Sequence, residues 1–307
     1  MFEKWIEKIN INGIEKEVEV RWDEIFGRYC RIISRVGLEI DKQEDFSEKI
    51  DEECIFCHPE KIASFDERFE KKKFENEYAF LFPNINPYSS YSSVCAFKKH
   101  YIKLNEFSPK LIQGNLELAI EYINKVLEMD GNVKYASINW NYLMPAGASI
   151  LHPHMQVVID KFPTSYMKKI LKNKKFYDYI GEEMRSNRYV GKIGSANIFI
   201  PFAPFGFNEI FAFLDGDIEN ALESISKIIS YVLLYYNSIR RNSFNLAIYY
   251  SIEKEFPLHL RMITRQNMIK YYRNDAMFFE RLHMETILEK KPEEIAKELK
   301  DFLKSQL

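Results

Sequence analysis

Cysteine is scarce in this chain: four in 307 residues, too few for a disulfide framework at this length. A reducing, cytoplasmic setting is therefore expected. No apolar run reaches the ~18 residues of a membrane span. The N-terminus, Met1-Phe2-Glu3-Lys4-Trp5-Ile6-Glu7-Lys8, mixes charge into its apolar residues and offers no signal-peptide core. A surplus of one charge is missing too. The 43 Lys and Arg stand against 45 Asp and Glu, a net charge of -2, which excludes a general drive toward nucleic acid or an anionic membrane. Any contact with phosphate has to be local. Histidine numbers only six, so the places where it falls carry information.

What is present is ordinary for a globular protein, with 46% apolar and 29% charged residues. The length permits one large domain or two modest ones. Glu17 to Ile33 reads as two strands joined by the turn Asp23–Gly27, with Arg21, Arg28, Arg31 and Arg35 forming a basic cluster. Tyr78–Phe82 and Ser93–Phe97 read as strands around a loop at 83–92. Ser108-Pro109 starts a helix, with Ser as cap and Pro in the first turn, that stops at Gly131. Val133–Trp140 and Ile150–Ile159 supply two more strands. The second half repeats the order: strands at Ile198–Phe202 and Glu209–Leu214, a long helix over Asp217–Arg240, then strands at Phe244–Ser251 and Leu258–Thr264. Residues 160–195 read as a linker, and Pro292–Lys304 as a closing helix. This order predicts an α+β fold of two duplicated halves, 1–185 and 186–307, each an antiparallel sheet with a long helix. Overlaying the halves places Leu258-His259-Leu260-Arg261 on Leu151-His152-Pro153-His154.

His152-Pro153-His154-Met155-Gln156 lies in an otherwise apolar run from Ala148 to Ile159. On a strand, residues two apart share a face, so His152, His154 and Gln156 form a polar row that a plain core would not hold without partners. A hydrogen-bonded pair of core histidines is one explanation. The preceding loop, Asn141 to Ser149, offers another: glycine and serine can aim backbone N–H groups and a hydroxyl at an anion beside a row of imidazoles. That is the arrangement that phosphoryl or nucleotidyl transfer to histidine requires.

Gly147 to Gln156 resembles the active-site motif of the galactose-1-phosphate uridylyltransferases within the histidine-triad superfamily, whose transferases carry His-Pro-His-x-Gln. The resemblance extends to the arginine-rich hairpin from Arg21 to Arg35, to Cys54-x-x-Cys57 at the family's zinc knuckle, to the Asn84–Pro87 loop and to His100. It covers the first ~160 residues well and the rest in outline.

The resemblance implies a duplicated histidine-triad-like fold whose second half is degenerate, and a homodimer. It implies that His154 attacks the α-phosphorus of a nucleotide and carries the nucleoside monophosphate as a phosphoramidate. Gln156 would hold a phosphate oxygen. Gly147, Ser149 and Asn141 would bind phosphate and steady its loop, and Ile55, Phe56 and Asn84 would receive the nucleoside. Arg28 and Arg31 are candidate phosphate or acceptor contacts, with a solvated basic face as the alternative. Glu280 falls in the segment near the sugar. Cys54, Cys57, His100 and His152 match the ligands of a structural zinc ion; two buried thiols are the alternative for the cysteines. No second, iron-type site is expected, because the second half brings only His259 to the corresponding strand. Glutamine in the third position cannot protonate a poor leaving group, so transfer is favoured over hydrolysis. The implied activity moves UMP or AMP between a nucleotide-sugar and a sugar 1-phosphate or phosphate. Alternatives are an adenylyl-specific phosphorylase acting on ADP-sugars or diadenosine tetraphosphate, and a non-catalytic nucleotide-binding protein. Nothing points to nucleic acid or membrane as a partner.

Overall fold

The computed structural model describes residues 2–33, 54–253, 256–269 and 276–306. The chain opens with a hairpin, β1 (Phe2–Ile11) and β2 (Ile14–Asp23), turned at Asn12-Gly13, whose φ angles of 54° and 82° suit that dipeptide. β3 (Arg28–Ile33) pairs with β2. Asp23 closes the intervening turn by accepting from the amides of Ile25 and Phe26. Arg35 lies outside the described residues.

Next come β4 (Phe74–Glu75), β5 (Ala79–Pro83), β6 (Tyr91–Phe97), α1 (Pro109–Met129), β7 (Tyr135–Tyr142) and β8 (His154–Asp160). The linker expected at 160–195 is instead folded: α2 (Ser165–Lys172), α3 (Phe176–Arg185) and β9 (Tyr189–Ile193) occupy it. Its lysines and asparagines suggest a linker, but Met167, Ile170, Phe176, Tyr179 and Ile180 recur at helical spacing and are buried. β10 (Ala196–Phe199), β11 (Phe207–Leu214), α4 (Ile218–Ser238), β12 (Phe244–Ser251) and β13 (His259–Thr264) follow, then α5 (Phe278–Leu282), β14 (Thr286–Leu288) and α6 (Pro292–Gln306).

Ten strands form one antiparallel sheet in the order β4-β5-β6-β8-β7-β12-β13-β11-β10-β9. Read outward from the β7–β12 pair, the order is the same in both directions. Each half supplies five strands and one long helix, and the two join through a ladder from Tyr135–Ser251 to Tyr142–Phe244. Both helices begin as their caps dictate: Ser108 accepts from the Leu111 amide and Asp217 from the Asn220 amide. α1 and α4 bury their apolar stripes, including Ile112, Leu116, Ile225 and Ile229, against one sheet face carrying Ile138, Trp140, Met155, Val157 and Leu260. A second sheet, β1-β2-β3-β14, stands apart from the first. No described helix is long and apolar enough to cross a membrane.

Candidate active site

The strand bearing the histidines begins at His154, later than Ile150 as the sequence suggests. Residues 149–152 are bends, and the chain joins the ladder only where the Pro153 carbonyl accepts from the Phe97 amide at 3.1 Å. His152 therefore sits at the mouth of the strand, while His154 and Gln156 lie on the sheet face away from α1 and α4.

The His154 imidazole has one defined orientation. Its Nδ1 donates to the His152 carbonyl oxygen at 2.8 Å, so the Nε2 lone pair is free. The Phe56 ring meets it edge-on with centroids 5.2 Å apart. Burial holds its pKa below the ordinary histidine value, partly offset by that carbonyl, and keeps the ring neutral. A neutral, oriented imidazole with a free nitrogen is a nucleophile.

The loop feeding the strand is built on two backbone reversals. Leu143 has φ 67° and Gly147 φ 91°, flanking a single 3-10 turn at Met144–Ala146. The Leu143 carbonyl accepts from the amides of Ala146 (3.0 Å) and Ala148 (3.3 Å), and the Met144 carbonyl from Gly147 (2.8 Å). A strained non-glycine residue at such a point marks a loop held in place by its surroundings. Within it, Asn141, Gly147 and Ser149 are exposed while Tyr142, Leu143, Pro145, Ala146 and Ala148 are buried. The residues expected to meet phosphate are thus the ones presented.

Sequence reasoning missed the group that locks this loop. Asn245 on β12 donates its amide to Asn141 Oδ1 (2.7 Å) and to the Ala146 carbonyl (2.8 Å), and accepts from Arg265 (2.8 Å). The positioning residue comes from the second half, and its ladder partner is Asn141. Only the pairing of β7 with β12 reveals it.

Cys54, Cys57, His100 and His152 converge, with one donor atom from each lying within 4.8 Å of all the others. Cys57 Sγ is 3.0 Å from His100 Nδ1 and 3.5 Å from His152 Nδ1, and Cys54 Sγ is 3.7 Å from His152 Nδ1. His152 Nε2 donates to the Phe97 carbonyl at 2.6 Å, leaving Nδ1 as the ligand nitrogen. Burial pushes its pKa down to about 4, the neutral form that a metal requires. Two sulfurs and two imidazole nitrogens at these separations can hold a tetrahedral metal ion. Ile55 and Ser149 line a cavity of about 280 Å³ beside Cys54 and His100. Asn84 turns the next loop by accepting from the Asn86 amide.

Three expected residues lie elsewhere. Arg28 and Glu280 line a separate cavity of about 410 Å³ with Arg265 and Arg281. Four of the five Arg28 N–H donors go to the carbonyls of Met284, Ala203 and Pro204 and to the Thr286 hydroxyl. Arg28 is largely a strut between β3 and β14. Arg31 pairs with Glu285 at 2.7 Å and faces the Phe279 ring.

The overlay of the halves also needs correction. His259 Nδ1 donates to the Pro257 carbonyl, two residues back, at 2.7 Å. The Leu258 carbonyl accepts from Leu214 as the Pro153 carbonyl accepts from Phe97. His259 is therefore the counterpart of His154, not of His152, and Arg261 is the counterpart of Gln156. The second half keeps a histidine at the place of His154 but seals it. His259 is fully buried, stacked on Phe211 at 5.0 Å, with Nε2 accepting from the Tyr166 hydroxyl at 2.9 Å.

No family model matches the chain. It is 31% identical over 334 aligned positions, covering 98% of both chains, to an uncharacterized protein of Archaeoglobus fulgidus. Its structure superposes on an ADP-glucose phosphorylase from Arabidopsis thaliana with a TM-score of 0.68 at 15% identity, covering 92% of this chain and 98% of that one. A uridylyltransferase gives 0.64 at 17% identity, with 94% and 99% covered. The chain belongs to the family of the Archaeoglobus fulgidus protein and shares the fold of the ADP-glucose phosphorylase and of the uridylyltransferase. Both structural likenesses are likenesses of fold. Within that fold, the expected α+β duplication is present as a single shared sheet.

Proposed function

We propose that this chain is a nucleotidyltransferase that moves a nucleoside monophosphate between a nucleotide-sugar and a sugar 1-phosphate or phosphate. The observation that carries the proposal is the fixed, neutral His154 with a free Nε2, beside a presented phosphate loop and a glutamine in place of an acid. His154 Nε2 forms a bond to the α-phosphorus as the bond from that phosphorus to the leaving phosphate oxygen breaks. Positive charge on the imidazole is met by the His152 carbonyl. The accepting phosphate oxygen then attacks, the P–N bond breaks, and the electron pair returns to Nε2. Gln156 and Asn141 hold non-bridging oxygens without moving a proton, which suits a phosphate leaving group. Ile55, Phe56 and Asn84 are proposed for the nucleoside, and Glu280 and Arg31 for contacts at the far cavity.

Zinc is the proposed metal, from its two-sulfur, two-nitrogen donor set. It would supply no chemistry beyond tying the Cys54–Cys57 turn to the residue that starts the catalytic strand. The exposed Trp5, Ile9, Ile11 and Ile14 on the first hairpin support a homodimer.

An adenylyl-specific phosphorylase is the second reading, supported by the fold shared with a phosphorylase that holds ADP-glucose. Incubation with α-phosphate-labelled ADP-glucose or UDP-glucose should leave acid-labile label on His154, and His154→Gly should abolish it. Absence of label from both donors, with nucleotide still bound, would favour a silent nucleotide-binding protein.

A further inference from the structure

A side-chain amide can be held either way round, and the way it lies decides whether it offers a ligand two hydrogens or a lone pair. At Asn141, the residue proposed to hold a phosphate oxygen, that choice is made outside the loop. Asn141, Asn245 and Arg265 share the sheet face away from α1 and α4. Asn141 lies opposite Asn245 across the β7–β12 ladder, and Arg265, one residue past β13, lies diagonally across from Asn245. A diagonal neighbour is within reach of a long side chain. The Arg265 backbone is tied to β12 by its amide, which donates to the Ser243 carbonyl at 2.8 Å.

Donors and acceptors follow in one sense along this line. A guanidinium only donates, so the atom of Asn245 that faces Arg265 Nη1 at 2.8 Å is its oxygen. A backbone carbonyl only accepts, so the atom that faces the Ala146 carbonyl at 2.8 Å is Nδ2. These two partners, one at each end, leave the Asn245 amide a single orientation. The second hydrogen on its Nδ2 goes to Asn141 Oδ1 at 2.7 Å. With that oxygen engaged, Asn141 turns its own Nδ2 outward. The nitrogen stands 3.8 Å from where a side chain on Gly147 would begin, and it donates to none of the described residues. The three groups form a head-to-tail chain that starts at a positive charge and ends in N–H bonds on the exposed Asn141. Hydrogen bonds linked in this way polarise one another.

We infer that Arg265 and Asn245 are positioning residues that set the polarity of Asn141. They make the group offered to the substrate phosphate a pair of N–H donors, and they polarise those donors with the Arg265 charge. Both act through Asn141. The inference rests on the nucleotidyl-transfer reading, which gives Asn141 a phosphate, and deepens it: the second half lends the site a cation that has no need to touch the substrate.

The test uses the full chain and measures affinity for ADP and UDP, each against its own nucleoside, which isolates the phosphate's share of binding. The rate of His154 labelling is measured beside it. Asn245→Asp puts an acceptor where the donor was, so Asn141 must donate inward and turn its oxygen to the phosphate. Diphosphate affinity should fall about tenfold with nucleoside affinity unchanged, and labelling should slow about 10²-fold. Arg265→Met should lower diphosphate affinity about threefold, and Arg265→Lys, which still donates, should recover most of that loss. On an Asn141→Ala background, neither Asn245→Asp nor Arg265→Met should weaken diphosphate binding further. If they weaken it as much without Asn141 as with it, they act by loosening the loop, and the polarity assignment is overturned. The two Arg265 variants carry the same comparison if Asn245→Asp does not fold. Wild-type chain that prefers the diphosphates but takes label from neither ADP-glucose nor UDP-glucose overturns the transfer reading and leaves the polarity assignment standing. Wild-type chain that binds diphosphate no better than nucleoside overturns the assignment.

Discussion

Gln156 carries an amide where an acid could stand, and under the proposed reaction that difference decides what becomes of a nucleotidylated His154. A glutamine amide can steady a phosphate oxygen but delivers no proton, so water gains no help in attacking the intermediate. Replacing it with histidine should shift the partition of label from acceptor toward free nucleoside monophosphate. Replacing it with alanine should lower kcat by about 10²–10³ without changing that partition, as expected for loss of one preorganised donor. Equal partition in the histidine variant would show that leaving-group chemistry is set elsewhere.

His259 gives a second prediction at the same scale. Burial holds its pKa down at about 3; the Pro257 carbonyl opposes this, and the Arg261 charge adds a lesser push downward. Unfolded, the same imidazole titrates near 6.5. Between these values the unfolded chain binds more protons, so stability is fully present above about pH 6.5 and is lost as pH falls toward 3. The slope from this one group approaches about 1.4 kcal/mol per pH unit. His259→Gln should be less stable than wild type at pH 7, because the Tyr166 hydroxyl and the Pro257 carbonyl lose a well-placed partner, yet its denaturation midpoint should fall less steeply from pH 6 to pH 4. Parallel midpoint curves would show that His259 does not control this range.

At the scale of elements, the loop proposed to bind phosphate depends on Gly147. Its φ of 91° is costly for any residue with a side chain, although an added Cβ would meet nothing closer than Asn141 at 3.8 Å. Gly147→Ala should therefore cost about 1–2 kcal/mol through backbone conformation alone. The strain falls on a loop that already carries Leu143 at φ 67°, so kcat/KM should drop further than thermal stability does. How much of the site was legible follows the same logic. His154 and Gln156 stand out in the sequence because an imidazole and an amide sharing a strand face are wrong for a core, and the structure sets the loop of Gly147 and Ser149 directly before them. The position of His259 was not readable, because a two-residue slip along a strand preserves the face and only the ladder fixes it. The hairpin of β1 and β2 has its own signal in Asn12-Gly13 between two alternating segments. α2 and α3 were hidden by exposed lysines that say little about the buried stripe beneath.

At the scale of the molecule, a buried charge network joins the small sheet, the second half and the closing helix. Arg21, 1% exposed, contacts Glu19 at 2.6 Å and Glu293 at 2.8 Å, and donates to the Phe202 carbonyl. Arg188 contacts Glu183 at 2.8 Å and Glu293 at 3.3 Å, while Glu183 accepts from the Phe202 amide. Glu293 sits in the first turn of α6, where a carboxylate also meets the helix dipole. The basic cluster of the first hairpin is thus partly structural, which the sequence could not show because two of its acidic partners, Glu293 and Glu285, lie 272 and 254 positions from Arg21 and Arg31. Desolvating these ions makes the pairs weak sources of net stability, but removing one partner leaves charges buried and unmatched. Arg21→Met should therefore cost about 3–5 kcal/mol, a fall in Tm of roughly 10 °C for a chain of this size. Adding Glu293→Leu to Arg21→Met should restore part of the loss, because the newly exposed mismatch is removed with it. If the double variant is as unstable as the sum of the singles, the network holds the two sheets by packing and its charges are incidental.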